Sequence, residues 1–545
     1  MVSALLISTF ATILLIPVFS KAALKLNIGL DMPNGRKVHQ HPIPRVGGVA
    51  MILGVYASSL FFAPEEHFLK AYVISSLFIV CFGIMDDFKG IDFRLKFLAQ
   101  VVAAIVIVTY GGVKIRSLGG LLPEDMLLAE TVSLPLTVIA IVGVTNAVNL
   151  ADGLDGLAGG ICLLSFCCIS YLAYLEGEVT LCLLALALAG AIFGFLRYNT
   201  YPAELFMGDT GSQFLGFSAI TLSLALTQRQ TPLSPLLPLF IIGFPVLDTL
   251  AVMAQRLSEK KPLFSADRNH FHHKLMGLGF YHTESVLVIY TVQAMLVSAA
   301  FIFRFNTEWF LLVSYLLFSA AVLAGFHVAQ ERHWVLHRYR IFDQVIKGRL
   351  RGLRGQGLAI RLCFNVARFG VPLLLFITCL LPSEIPSSLS LLSIAFLGAL
   401  LLVWCFKKAW MRGCLTAVVY LFVPFIISLD VEKTGRVRDV FSQLYNLSYI
   451  LIIFFVVLTL KFTRRRQGFK TTPMDFLILF IALVVPHALS HYLNIENLTI
   501  IAAKTVMFYF SYEVLIGELR GKLTRLTAAS MLPLIAVMVR GLAHW

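Results

Sequence analysis

The chain has 545 residues, of which 58% are hydrophobic and only 14% are charged, and its formal net charge is +14. A soluble domain cannot bury so much apolar surface in one core, so the composition excludes a soluble globular protein and predicts an all-α polytopic membrane protein. The cations alone would fit nucleic-acid binding. They are concentrated between apolar segments, however, which indicates membrane topology and no nucleic-acid partner.

The first 330 residues contain eleven apolar segments of about membrane-spanning length. They lie near residues 2–24, 46–63, 71–85, 96–113, 134–150, 158–175, 179–197, 213–227, 235–254, 285–303 and 309–329. The first segment has no Lys or Arg before it and no small-residue cleavage pattern after it. We therefore expect a retained helix rather than a cleaved signal peptide.

A basic stretch, 331–362, follows these segments and is expected to be a cytoplasmic linker. It separates a predicted membrane domain of residues 1–330 from a C-terminal membrane domain of residues 363–545. Seven further apolar segments lie near 363–381, 389–406, 413–429, 446–462, 474–490, 498–516 and 526–543. Few charges fall within them, so the sequence leaves the role of this second domain open, and an accessory helical bundle is the simplest interpretation.

The loops richest in Lys and Arg follow every second apolar segment. With an external N-terminus, this alternation obeys the positive-inside rule along the whole chain. Five dense polar motifs then fall on the cytoplasmic side of the membrane. The nine cysteines lie within or beside apolar segments without Cys-x-x-Cys spacing, so we interpret them as packing residues rather than as disulfides or zinc ligands.

The first two motifs combine cations and carboxylates. In the loop after the first segment, Arg36, Lys37 and His39 offer donors for a phosphate or a lipid headgroup. The third segment ends in the pair Asp86-Asp87, and Lys96 begins the next segment. Adjacent carboxylates are costly there unless a cation compensates them, which favours a functional role over a solvated loop.

The third and fourth motifs are rich in oxygen ligands. Asn146, Asn149, Asp152 and Asp155 follow a membrane-length apolar run and lie beside glycines. Such residues suit a hard cation and the phosphates it carries, although Asp-Gly pairs more often mark simple turns. The fourth motif begins near Asn199 and ends in Gly-Asp-Thr-Gly-Ser, residues 208–212, which suits a Mg²⁺-phosphate group through Asp209.

The fifth motif, after the ninth segment, contains Arg268, His270, His272, His273 and Lys274. Three histidines so close together would suit zinc, but no cysteine accompanies them. The neighbouring Arg and Lys instead favour binding of a polyanion.

These five motifs, in this order, resemble the polyprenyl-phosphate N-acetylhexosamine-1-phosphate transferases, and the resemblance covers about residues 1–330. The matching residues are Asp31, Pro33, Arg36, Lys37, His39, Pro42, Pro44, Gly47, Gly48, Asp86, Asp87, Asn146, Asn149, Asp152, Gly153, Asp155, Gly156, Asn199, residues 206–212 and the His-x-His-His loop. The phospho-MurNAc-pentapeptide branch usually has consecutive histidines followed by an acidic residue. His270-Phe271-His272-His273-Lys274 departs from that pattern and favours the N-acetylglucosaminyl branch.

The resemblance implies an enzyme of a bacterial inner membrane with its active site on the cytoplasmic face. It would transfer N-acetylhexosamine 1-phosphate from a UDP-N-acetylhexosamine to polyprenyl phosphate, release UMP and initiate a cell-envelope polysaccharide. Mg²⁺ would be the cofactor, with Mn²⁺ as an alternative, and its ligands would be Asp209 and Asn149. Whether an aspartate attacks covalently or the lipid phosphate attacks directly stays open.

The resemblance also implies roles for the remaining motif residues. The carboxylates and histidines expected to be catalytic are Asp86, Asp87, Asp152, Asp155, His270, His272 and His273. The residues expected to bind substrate are Arg36, Lys37, His39, Lys96, Asn146, Asn149, Asn199, Asp209 and Arg268.

Two alternative functions remain. A lipid-linked sugar transporter or flippase would also have many helices, but its charged groups are expected near the midplane of the bilayer rather than on one face. Phospho-MurNAc-pentapeptide transferase activity is the alternative within the family. A homodimer is also left open.

Overall fold

The computed structural model describes residues 2–33, 41–62, 67–123, 126–229, 231–262, 269–332, 358–382, 384–406, 410–433, 439–462, 498–519 and 523–542. Nearly all of these residues are helical, which confirms the all-α membrane class. The strands in the described part of the chain are two short antiparallel ones, β1 (Leu30–Asp31) and β2 (Ile43–Pro44). The described chain forms two compact units, and the boundary between them lies between residues 332 and 358.

The first unit contains thirteen α-helices in the described residues. They are α1 (Val2–Leu26), α2 (Gly47–Phe62), α3 (His67–Lys89), α4 (Phe93–Thr109), α5 (Glu130–Ala151), α6 (Leu157–Leu175), α7 (Val179–Asn199), α8 (Gly208–Thr227), α9 (Pro238–Ile241), α10 (Gly243–Ser258), α11 (Phe271–Gly277), α12 (His282–Ile302) and α13 (Glu308–Glu331). A single turn of 3₁₀ helix, Gly119–Leu121, lies between α4 and α5.

The second unit contains six helices in its described residues. They are α14 (Leu358–Leu380), α15 (Ser387–Phe406), α16 (Met411–Lys433), α17 (Asp439–Phe462), α18 (Leu498–Leu519) and α19 (Thr524–Leu542). Their apolar core includes Phe422, Phe508 and Leu534. The hydroxyls of Thr378, Tyr445 and Tyr449 hydrogen-bond one another within this unit, so these three buried hydroxyls are paired.

Seventeen of the eighteen predicted apolar segments coincide with helices, and the one near 474–490 lies outside the described residues. Among the described helices, eleven have the length and hydropathy of a complete membrane span, fewer than the eighteen expected. Helices α4 and α10 are too short, at 17 and 16 residues. Helix α8 begins with a polar stretch, and the ninth predicted span is divided into α9 and α10.

Helix α8 is the most completely buried helix at the candidate site. Every residue from Thr210 to Thr227 is buried, and α8 packs against α2, α3, α5 and α6. Its side chains are mostly apolar or small, which permits burial on all sides. The polar N-terminus of α8, at Gly208 and Asp209, is therefore held in a fixed position among the surrounding helix ends.

The first loop is joined to the segment that leads into α8. Gly47 N donates to Phe206 O at 3.0 Å, Gly48 N donates to Met207 O at 3.0 Å, and Phe206 N donates to Pro44 O at 2.9 Å. An ion pair between Arg45 and Asp31 lies beside β1 and β2. The first and fourth sequence motifs thus form one backbone hydrogen-bonded structure that supports the N-terminus of α8.

We expect Gly48→Ala to destabilise the first unit. An added Cβ would lie 2.5 Å from Met207 O and 2.6 Å from Gly211 Cα, where backbone atoms must shift. Overpacking of this kind costs about 1–3 kcal/mol. The control is Gly143→Ala in α5, where a Cβ would meet nothing within 4 Å. Thermal unfolding in detergent should show a lower Tm for Gly48→Ala alone, and equal Tm values for the two variants would contradict the close packing of α2 on α8.

Candidate active site

The ends of α3, α4 and α8 meet around one ammonium group. Lys96 near the start of α4 donates from Nζ to Asp209 Oδ2 at 2.8 Å and also forms an ion pair with Asp86 near the end of α3. Ile91 N donates to the other Asp86 oxygen at 2.9 Å. The Asp209 side chain retains 32% exposure, so this carboxylate is accessible from the open side of the cluster.

Asp87 has a different environment from its neighbour Asp86. Its Oδ1 accepts a hydrogen bond from Asp209 N at 2.8 Å, and its Oδ2 accepts from Thr210 N at 3.1 Å and from Thr210 Oγ1 at 2.6 Å. A carboxylate at a helix N-terminus satisfies backbone N–H groups that have no partner within the helix. Asp87 therefore caps α8 from the neighbouring helix and fixes the backbone of Asp209.

The two asparagines of the third motif face the same cluster from α5. Asn146 Nδ2 donates to Gln100 Oε1 at 2.6 Å, and Gln100 Nε2 donates to Gln213 Oε1 at 2.9 Å. Asn149 Oδ1 accepts a hydrogen bond from Ser212 Oγ at 2.5 Å. These amides hold the last turn of α5 against α4 and the first turns of α8, so Asn149 lies beside the motif that carries Asp209.

The loop after α5 brings a further carboxylate into this region. Burial, together with the carboxylates of Asp209, Asp155 and Asp87, raises the pKa of Asp152 to about 7. Crowded carboxylates favour protonation or a bound cation, because either one reduces their mutual repulsion. The acidic cluster therefore has the electrostatic character of a cation-binding site.

Asp155 and Asn199 are engaged in bonds that shape the loops. Asp155 Oδ2 accepts from Ala203 N at 2.9 Å, while Asn199 Oδ1 accepts from Gly156 N at 2.9 Å. Asn199 is buried, and its Nδ2 donates to Leu205 O at 2.8 Å. These two side chains join the loop after α5 to the loop between α7 and α8. The catalytic role expected for Asp155 and the substrate contact expected for Asn199 stay predictions.

The histidine loop begins α11 and lies against the loop after α5. His272 is buried, and its ring occupies the space beside Gly153 that a β-carbon there would fill. Burial and the neighbouring ring of His273 lower the pKa of His272 to about 4, so this imidazole is neutral near pH 7. The ring centroids of His272 and His273 lie 4.2 Å apart. The side chain of His270 is also buried.

The donor set fits Mg²⁺ better than zinc. Among the described residues, no group of three or more His, Cys, Asp and Glu side chains is arranged to hold a metal ion. Mg²⁺ needs no such cage, because it is commonly bound by one or two carboxylates together with substrate phosphates and waters. Asp209 supplies an accessible carboxylate beside Asn149 and Asp86, and the crowding around Asp152 favours a cation.

The structure brings together most of the residues that the sequence analysis selected. Arg36, Lys37, His39 and Arg268 lie outside the described residues. Sequence reasoning did not include Gln100, Thr210 and Ser212 among the site residues, although all three contact residues that it did include. Gln100 lies one helical turn after Lys96, and Thr210 and Ser212 lie within the fourth motif beside Asp209, so these positions are the signal that would have found them.

Comparison with known proteins is consistent with this arrangement. The family model described as glycosyl transferase family 4 matches residues 69–227, a range that extends from α3 to the end of α8. It therefore includes Asp86, Lys96, Asn149 and Asp209, the residues that meet at the helix ends.

Three relatives match most of their own length. The "Probable undecaprenyl-phosphate N-acetylglucosaminyl 1-phosphate transferase" of Bacillus subtilis (strain 168) is 37% identical over 310 residues, which are 56% of this chain and 86% of the relative. The "Undecaprenyl-phosphate alpha-N-acetylglucosaminyl 1-phosphate transferase" of Escherichia coli (strain K12) is 32% identical over 369 residues, 65% of this chain and 97% of the relative. The protein of the same name from Salmonella typhi is 33% identical over 361 residues, 64% of this chain and 95% of the relative. With such coverage of these relatives, the chain belongs to glycosyl transferase family 4.

Proposed function

We propose that the protein transfers N-acetylglucosamine 1-phosphate from UDP-N-acetylglucosamine to undecaprenyl phosphate and thereby initiates a cell-envelope polysaccharide. A lipid phosphate oxygen forms a bond to the β-phosphorus of the donor. The bond between that phosphorus and the bridging oxygen breaks, and UMP leaves with this oxygen. The product is a lipid-linked diphosphate sugar. The names of the relatives support both the sugar phosphate and the lipid acceptor.

The observation that carries this proposal is the meeting of Asp86, Lys96 and Asp209 at adjoining helix ends, with Asn149 and Asp152 beside them. Transfer between two phosphate-bearing substrates requires groups that offset the repulsion of their charges and position the reacting atoms. The Lys96 ammonium and a bound cation would supply positive charge at this site, and the surrounding carboxylates would hold both of them in position. The alternative of a transporter has no specific observation in its favour.

A Mg²⁺ ion is part of the proposal, with Mn²⁺ as the alternative. Asp209 would hold it, with Asn149 as a neighbouring oxygen donor. Bound there, the ion would stabilise the charge that develops on the phosphate oxygens. Asp87 fixes the Asp209 backbone through hydrogen bonds, and Lys96 fixes the carboxylates of Asp86 and Asp209 relative to each other.

The two sides of the cluster suggest where each substrate lies. Asp86 is at the end of α3 and faces Lys96, a position suited to contact with the lipid phosphate. Asp152 and the neutral imidazole of His272 are near the loop after α5, a position suited to the UDP-sugar. A neutral imidazole can donate one hydrogen bond and accept another, so His272 would orient polar groups of the donor without adding charge.

The cytoplasmic face is the proposed location of this site. The cationic loops alternate with the apolar segments, and by the positive-inside rule this alternation supports a cytoplasmic location for all five motifs. UDP-sugars are highly charged and would reach this face from the aqueous phase. The histidine loop, which departs from the consecutive histidines of the muramyl branch, supports a compact acetamido sugar as the donor.

We expect the purified full-length protein to release UMP from UDP-N-acetylglucosamine when undecaprenyl phosphate and Mg²⁺ are both present. UDP-glucose should be a poor donor because it lacks the acetamido group that a site built for hydrogen bonding would recognise. UDP-MurNAc-pentapeptide should be excluded by its size. The assay follows UMP and lipid-linked product with each donor, with and without EDTA.

Three results of this assay would contradict parts of the proposal. Turnover of the pentapeptide donor alone would move the protein to the other branch of the family. Full activity in EDTA would remove the metal from the proposal. Absence of UMP release with every nucleotide sugar, from protein shown to be folded, would refute the transferase.

A further inference from the structure

The carboxylate of Asp248, in the second turn of α10, is buried against the start of the histidine loop. Its Oδ2 lies 2.9 Å from His270 Nδ1, and its Oδ1 accepts a hydrogen bond from Phe271 N at 2.8 Å. Asp248 and His270 retain only 3% and 6% exposure. Carboxylate oxygens accept hydrogen bonds, so we assign the hydrogen atom of this contact to His270 Nδ1.

The contact between Asp248 and His270 determines which nitrogen of the His270 ring can interact with a substrate. With Nδ1 protonated towards Asp248, His270 Nε2 is the nitrogen that can accept a proton or, in the imidazolium, donate one. A carboxylate behind a histidine selects the tautomer and orients the ring in this way in many active sites. The second bond, to Phe271 N, fixes the backbone at the first residue of α11.

The same loop is connected to the acidic cluster. The rings of His270 and His272 are nearly parallel, with centroids 5.9 Å apart and an interplanar angle of 9°. His272 lies against Gly153, next to Asp152. A change at Asp248 would therefore alter the orientation of His270 first and, through the loop, the histidine that lies beside the carboxylates.

We propose that Asp248 is a positioning residue that sets the tautomer and orientation of His270 for the transfer reaction. This inference rests on the proposed function. Asp248 itself does not contact the substrate and acts through His270. The carboxylate lies in an apolar sequence, Phe-Pro-Val-Leu-Asp-Thr, and both of its oxygens are bonded to the histidine loop.

The test uses Asp248→Asn in the full-length protein. The amide is of the same size, but its NH₂ group would donate to His270 Nδ1 and favour a proton on Nε2. We expect kcat to fall roughly 10- to 100-fold, the effect typical of losing a group that orients a functional histidine, while KM for the UDP-sugar changes little. ¹⁵N NMR of histidine-labelled protein, with the signal assigned through His270→Gln, should show the protonated nitrogen moving from Nδ1 to Nε2.

A matched control separates positioning from packing. Gln293 is fully buried and bonds to the backbone at the start of α10, where its Oε1 accepts from Phe244 N at 3.1 Å and its Nε2 donates to Ile241 O at 2.7 Å. Gln293→Ala removes these bonds and leaves the hydrogen bonds between Asp248 and the histidine loop in place. We expect it to lower Tm and to leave kcat and the His270 tautomer unchanged.

A double-mutant cycle provides the decisive comparison. In a His270→Gln background, Asp248→Asn should reduce kcat no further, because the residue through which it acts is gone. Independent, multiplicative losses together with an unchanged His270 tautomer would overturn the positioning role. If the wild-type protein releases no UMP at all, the proposed function fails, and the NMR comparison still decides whether Asp248 sets the tautomer.

Discussion

Asp209→Asn is expected to lower kcat about a thousandfold or more, because in its proposed role as a metal ligand this carboxylate would supply several kcal/mol of transition-state stabilisation. The asparagine has nearly the same volume and can still accept from Lys96. The backbone of Asp209 would remain bonded to Asp87. We therefore expect the fold and Tm to stay close to those of the wild type.

The measurement is the rate of UMP release at saturating donor and lipid, over a range of Mg²⁺ concentrations. Glu130→Gln is the control, because Glu130 is an exposed carboxylate at the opposite end of α5 from Asn149 and pairs with Lys114. It should retain wild-type activity. Near-normal, Mg²⁺-dependent turnover by folded Asp209→Asn would exclude this carboxylate as the metal ligand.

Asp87→Asn is expected to affect both stability and activity. An amide has one acceptor oxygen, and its NH₂ group would face backbone donors at the start of α8, so a buried donor is left without a partner at a cost of about 1–3 kcal/mol. The Asp209 backbone would shift, and activity should fall roughly 10- to 100-fold, as for other groups that orient a metal ligand. The combination of a lower Tm and lower activity distinguishes Asp87 from Asp209.

Thr210→Val is the matched comparison for Asp87→Asn. It removes the 2.6 Å hydroxyl bond to Asp87 but keeps the backbone bonds and the branched shape. A smaller loss of both Tm and activity is expected. If Asp87→Asn abolished turnover at wild-type Tm, the capping role would be wrong, and Asp87 would instead contact the reacting groups directly.

The sequence predicted the helices well because a membrane span has a simple sequence pattern, which is a long apolar run with cations at one end. It did not predict the division between α9 and α10, since Pro238 and Pro245 lie in an otherwise apolar run that reads as one span. It also predicted a full span at α4, which has 17 residues, whereas the eighth predicted segment coincides with the apolar part of α8.

Within the site, sequence spacing predicted the identity of the site residues. It was less successful in predicting the contacts that each of them makes. Asp86 and Asp87 are adjacent, so nothing local indicates that one pairs with Lys96 while the other caps α8. That difference depends on which face of α3 meets α8, a property of packing. Asp248 lies inside the ninth predicted apolar segment, but its partner His270 is 22 residues away along the chain, so sequence spacing does not indicate their contact.

The position of Lys96 between its two carboxylates has a consequence for biosynthesis. Asp86 lies ten residues before Lys96, on the helix hairpin formed by α3 and α4, whereas Asp209 lies 113 residues after it. The hairpin leaves the ribosome first, so the ammonium and the nearer carboxylate can neutralise each other during membrane insertion. The second carboxylate, that of Asp209, can pair with Lys96 only after α8 has been translated and has packed against α3. We therefore expect nascent chains that stop before Gly208 to insert stably in the membrane while lacking the Asp209 carboxylate of the proposed metal site.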